Sequence, residues 1–226
     1  MDYRLSVLPN GLRVITERMP GVRSIAVGIW LDTGSRDELP REAGCAHFLE
    51  HLLFKGSERL SSRDISMAFD EMGGSSNAFT SKEQTCYWAR LRDDDLNRGL
   101  DILGEMVLRP AFRQAEIDSE RGVVLEEINM NEDDPSDVAS ECFVQALFGP
   151  HPLALPVLGT KASIGGMARD DISGYWSRRY HPRAAVVSVA GSVDHDRLVE
   201  QCTDIFGEWE PAEPAHQHSA PSISSR

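Results

Sequence analysis

The chain has 226 residues, 41% of them hydrophobic and 26% charged, which is enough for one large domain or two small ones around a buried core. Its formal charge of −13 argues against a general nucleic-acid binder, which shows a basic face; an acidic surface serves solubility and is compatible with steering of cationic peptides. No apolar run reaches the ~18–20 residues of a membrane span, and Met1 to Ser6 lacks the pattern of a secretory signal, so an intracellular protein is expected.

In chain order, Leu5 to Ile15 reads as two strands around Pro9-Asn10-Gly11, because Asn-Gly supplies the positive φ of a tight hairpin. Ser24 to Leu31 is small or apolar nearly throughout and suits the centre of a sheet. A loop over Thr33 to Pro40 leads into a helix from Ala43 to Phe54, which Gly56 can end. A second helix, capped at Ser62 to Ile65, stops at Gly73-Gly74. Asn77 to Thr80 and Gln84 to Leu91 read as strands, the latter alternating through Thr85, Tyr87 and Ala89. Helices follow over Asp94 to Leu108, Gln114 to Asn131, Asp137 to Phe148 and Ala168 to Tyr180. Ala184 to Gly191 is a strand and Asp194 to Phe206 a helix. Strands and helices mix without strict alternation, which favours an α+β fold. The folded domain is expected over 1–210, with 211–226 a linker or tail poor in large apolar residues. Cys45, Cys86, Cys142 and Cys202 form no CxxC pair and are expected to be buried free thiols.

The chemistry concentrates in His47-Phe48-Leu49-Glu50-His51. Histidines four apart on a helix share a face and suit two ligands of one ion. Glu50 lies near that face but points differently, so it can serve water instead of filling the ion's shell. This order is the inverted form of the zincin motif. Alone it is equally compatible with ordinary surface or core histidines. A third ligand is offered by the helix around Glu120 and Glu127, seven residues apart and therefore on one face. Val123, Val124 and Ile128 beside them are expected to draw that face inward; a solvated acidic helix is the plain alternative.

With these residues in place, the sequence resembles the pitrilysin/insulinase family of zinc metallopeptidases, nearest its mitochondrial-processing-peptidase-like bacterial branch. The resemblance runs from about Leu5 to Trp209. It rests on Pro9-Asn10-Gly11-Leu12, Gly34 to Glu38, His47 to His51 followed by Leu52 to Gly56, Gly73-Gly74 with Asn77-Ala78-Phe79-Thr80, and Glu120-Arg121 leading to Glu127. It implies a mixed, mostly antiparallel sheet packed against helices. It implies His47, His51 and Glu127 as ligands of Zn2+, Glu50 as general base, and Glu120 as a supporting carboxylate outside the ligand shell. Asn77, Ala78, Phe79 and Thr80 would form the edge strand that takes a peptide as an added strand. The implied reaction is amide hydrolysis by a metal-activated water, in a cytoplasmic bacterial protein. Family members usually carry a second, similar domain with an Arg/Tyr pair that touches substrate; this chain has no counterpart, and Arg179-Tyr180 stands in a different context. A partner domain or subunit is therefore expected for full activity on a peptide or small protein. Two other readings compete with this one. S-ribosylhomocysteinase shares the His-x-x-Glu-His pattern but needs a cysteine ligand at a spacing that Cys86 and Cys142 do not meet. A non-catalytic assembly subunit is disfavoured because His47, Glu50, His51 and Glu127 are all present.

Overall fold

The computed structural model describes residues 3–212 and 220–221. Most of the expected tail at 211–226 therefore lies outside the described residues. The Pro-Asn-Gly turn joins β1 (Tyr3–Val7) to β2 (Arg13–Arg18). Gly11 there takes φ 95°, the left-handed region that glycine enters without strain. The Asn10 amide also donates to the Phe206 and Trp209 carbonyls, tying the turn to the far end of the chain.

The remaining strands are β3 (Ser24–Leu31), β4 (Ser75–Thr80), β5 (Thr85–Arg92) and β6 (Ala185–Gly191). The helices are α1 (Cys45–Leu53), α2 (Ser62–Glu71), α3 (Leu96–Leu108), α4 (Gln114–Asp133), α5 (Pro135–Phe148), α6 (Lys161–Gly166), α7 (Arg169–Arg179) and α8 (His195–Phe206). The expected elements are all present, with ends within three residues of those expected. The cap of α2 is Ser61, whose hydroxyl accepts from the Asp64 amide. The short helix α6 has no counterpart among the sequence expectations.

The six strands form one sheet in the order β1-β2-β6-β3-β5-β4. Only β2–β6 is parallel, so the sheet is mixed and mostly antiparallel, and the fold is α+β as expected. β3 lies inside the sheet and β4 at its edge, hydrogen-bonded to β5 alone among the described strands. Alternate residues such as Val14, Val27, Ile29, Tyr87 and Val187 are buried under helices, where Leu49, Leu53, Leu100, Leu103 and Phe206 complete the core. In the other set, Tyr3, Leu5, Val7, Trp30 and Phe79 are exposed. Two sequence expectations fail on burial. Cys142 is exposed on α5, a helix with no buried residue among those described, whereas Cys45, Cys86 and Cys202 are buried free thiols. Val123 is 43% exposed because it falls on the outer stripe of α4, while Val124 and Ile128 face inward.

The helix bearing the histidines is anchored at its first turn. Gly44 takes φ 87°, and a Cβ there would stand 2.5 Å from the Leu158 carbonyl oxygen. Glu38, buried, accepts from the Gly44 and Ala46 amides at 2.8 and 2.7 Å, satisfying donors that a helix start leaves open. Burial pushes the Glu38 carboxyl up to about 8 against the two backbone donors, with Glu42 and Asp37 adding to the rise. A carboxyl raised in the fold binds its proton more tightly folded than unfolded, so stability is lost as pH climbs from about 4.5 to about 8. The Tm of wild type relative to Glu38→Gln should therefore fall as pH rises through that window; a constant Tm difference would contradict this titration.

Candidate metal centre

On α1, Phe48, Leu49, Leu52 and Leu53 are buried in the core. The opposite part of the helix carries His47, Glu50 and His51, each only partly covered. One turn apart, the two imidazoles lie with ring centroids 4.6 Å apart. α4 packs against α1, buries Ile117, Val124 and Ile128, and presents Glu127 to both rings. Glu127 Oε2 is 3.5 Å from His47 Nε2 and 3.6 Å from His51 Nε2.

These separations exceed the roughly 2.7–3.2 Å of a hydrogen bond. They match the edges of a tetrahedron of ligands: bonds of about 2.0–2.2 Å place neighbouring ligand atoms about 3.3–3.5 Å apart. His47, His51 and Glu127 each offer an atom to a group lying within 4.8 Å of one another, and it is the one such group among the described residues. Burial, and secondarily His51, lowers the His47 pKa to about 4, which leaves its ring neutral and its lone pair available near pH 7. His47 Nδ1 is buried with no partner among the described residues. The donor set thus fits a tetrahedral divalent ion such as zinc.

Glu120 stands behind this set, not within it. His51 Nδ1 donates to Glu120 Oε2 at 3.3 Å, which turns the Nε2 lone pair toward Glu127. The other oxygen of Glu120 accepts from Lys55 Nζ at 2.8 Å. Lys55 follows His51 by four residues, a spacing visible in the sequence, yet its carboxylate partner becomes evident only once α4 is placed. Glu50 is separated differently: Thr80 Oγ1, on β4, donates to Glu50 Oε2 at 2.6 Å. Burial raises the Glu50 pKa, opposed by the Thr80 hydroxyl and by His51.

The segment Asn77 to Thr80 divides between two faces. Ala78 and Thr80 lie on the half-covered, α1 side of β4, and Asn77 and Phe79 on the exposed side. Asn77 Oδ1 accepts from the Ala78 amide at 2.9 Å. Tyr180 is buried with its hydroxyl bonded to that of Tyr87.

A helix-backed mixed sheet, with two imidazoles and a carboxylate converging across α1 and α4, defines an α+β domain with a candidate metal centre. A model described as the insulinase family (peptidase family M16) matches residues 13–161, and one described as the peptidase M16 inactive domain matches 166–224. The chain belongs to the M16 (insulinase) family of peptidases. It is 48% identical over 202 residues to an uncharacterized zinc protease of Mycobacterium leprae, covering 89% of this chain and 45% of that protein. It is 36% identical over 205 residues to a probable mitochondrial-processing peptidase subunit beta of Arabidopsis thaliana, covering 91% of this chain and 39% of that one. The crystal structure of a protease from Helicobacter pylori superposes with a TM-score of 0.89 at 27% identity, over 98% of this chain and 54% of that chain. The chain therefore spans about half the length of the curated relatives it matches.

Lys55 is the cation that faces the buried carboxylate of Glu120, so removing it alone strands a charge. Because Lys55 is one-third exposed, Lys55→Met should cost only about 1–2 kcal/mol in metal-free protein, and Lys55→Met/Glu120→Gln should recover most of it. Urea unfolding of the double-mutant cycle checks this; a double variant weaker than the Lys55→Met single would contradict it.

Proposed function

We propose that this chain is the metal-binding unit of a zinc-dependent endopeptidase, with His47, His51 and Glu127 as the zinc ligands and Glu50 as the general base. The observation that carries the reading is the placement of one Glu127 oxygen at 3.5 and 3.6 Å from two imidazole nitrogens. Glu50 is held apart from them by Thr80. The zinc-protease names of the relatives support the choice of metal. When bound, zinc supplies a Lewis acid that polarises the scissile carbonyl and lowers the pKa of water toward ~7.

The protein's own groups do the rest. Glu50, raised by burial, accepts the proton of the attacking water and passes it to the leaving amine. Glu120 holds the His51 ring, and Lys55 holds Glu120. The free edge of β4 offers main-chain groups to an extended peptide or a small protein, with Thr80 linking that edge to Glu50. A second, similar domain or subunit completes the enzyme, as the greater length of the relatives supports. The second reading is a non-catalytic assembly subunit, prompted by the inactive-domain match at 166–224. That segment holds none of the four residues assigned here, which favours the catalytic reading.

In the assembled, zinc-loaded full-length enzyme, Glu50→Gln is expected to keep one zinc per chain and lower kcat by about 10²–10⁴. Metal analysis beside peptide turnover checks both parts; wild-type turnover in the variant would remove Glu50 from its role.

A further inference from the structure

A cleft of about 440 Å³ lies between the end of α3, the turn that leads into α4, and α7. That volume falls within the ~300–1,000 Å³ of small-ligand sites, and none of the four residues assigned to the metal centre lines it. One wall is aromatic and fixed. Trp176 Nε1 donates to the Val107 carbonyl at 2.9 Å, and the Phe112 ring meets the indole edge to face with centroids 6.0 Å apart. Phe112 keeps that contact at φ 45°, the only non-glycine residue in the left-handed region among those described. Such strain persists where surrounding contacts over-determine it, and it concentrates at ligand clamps and switches. Here Arg169 Nε holds the Phe112 carbonyl at 2.9 Å.

The charges around the wall are a second, independent observation. Two arginines line the cleft, but the charge of Arg109 is met by buried Glu105 at 3.1 Å. Arg169 uses only Nε on the Phe112 carbonyl, and its terminal nitrogens have no partner among the described residues. Glu58 and Asp170 line the same cleft, and their carboxylates make no ion pair among the described residues. A guanidinium fork suits a carboxylate, unpaired carboxylates suit an ammonium group, and an indole suits a flat apolar group. We propose that this cleft is a binding site for an aromatic zwitterion: a molecule with a free ammonium, a free carboxylate and an aromatic side chain, as in an aromatic amino acid or a short peptide. The site does not depend on the peptidase reading and involves none of its residues.

The test titrates the full-length protein, isotope-labelled at tryptophan, with L-phenylalanine, with the dipeptide alanyl-phenylalanine and with neutral N-acetylphenylalaninamide. It reads the indole N–H resonance of Trp176, identified by its loss in Trp176→Phe. At least one zwitterion is expected to shift that resonance saturably with a Kd of about 1 mM, and the neutral amide to leave it in place. The tighter of the two zwitterions tells whether the source is an amino acid or a peptide. Glu58→Gln/Asp170→Asn removes no hydrogen bond of the fold among the described residues and should weaken binding about fivefold, as should Arg169→Gln. No saturable shift up to about 20 mM, equal binding of the neutral amide, or unchanged binding in both variants overturns the site. A shift confined to the Trp30 indole would place the ligand at the sheet instead and overturn it equally.

Discussion

The crossing of α1 and α4 sets the distance between the Glu127 carboxylate and the two imidazoles, and the same crossing brings Glu120 to the His51 ring. Its rotation is fixed by contacts on both sides of the carboxylates. Ile117, Val124 and Ile128 lie in the core, and Arg121 stacks over the Phe48 ring of α1 at 5.7 Å. The same guanidinium donates to the carbonyls of Ile164 and Met167, at the end of α6 and just after it. One arginine thus clamps α4 against α1 and against the chain that follows. A helix turned by one residue would swing about 100° and carry Glu127 away from both rings.

Three carboxylates share this small region, and their partners separate their tasks. Glu120 is buried but paired with Lys55 and the His51 ring, so its charge is compensated and its position fixed. Glu127 is about one-third exposed and stands 3.5 and 3.6 Å from the two Nε2 atoms, distances too long for hydrogen bonds. Glu50 has a neutral hydroxyl for a partner and a pKa raised by burial, which suits the proton-transfer role proposed for it. The charge count is alike at all three; the environment differs.

Much of this was legible before any coordinates. Periodicity placed the strands and most helices, and the His47–His51 spacing put both rings on one face because that relation is local to a helix. Glu127 was harder, since its approach depends on how two helices distant in sequence cross; its recurrence with Glu120 and the family resemblance pointed to it. The roles of Lys55, Thr80 and Glu38 were not legible, because each acts through a partner far along the chain. Thr80 was read only as part of an edge strand, and its bond to Glu50 spans thirty residues. Cys142 and Val123 are exposed against expectation because a local pattern shows which side of a helix is apolar, not what covers it.

X-ray absorption at the zinc edge, on the zinc-loaded protein, reads the ligand set at the metal itself. Two imidazole nitrogens and carboxylate or water oxygen at about 2.0–2.2 Å are expected. A sulfur at about 2.3 Å, or scattering from a single imidazole, would contradict that set.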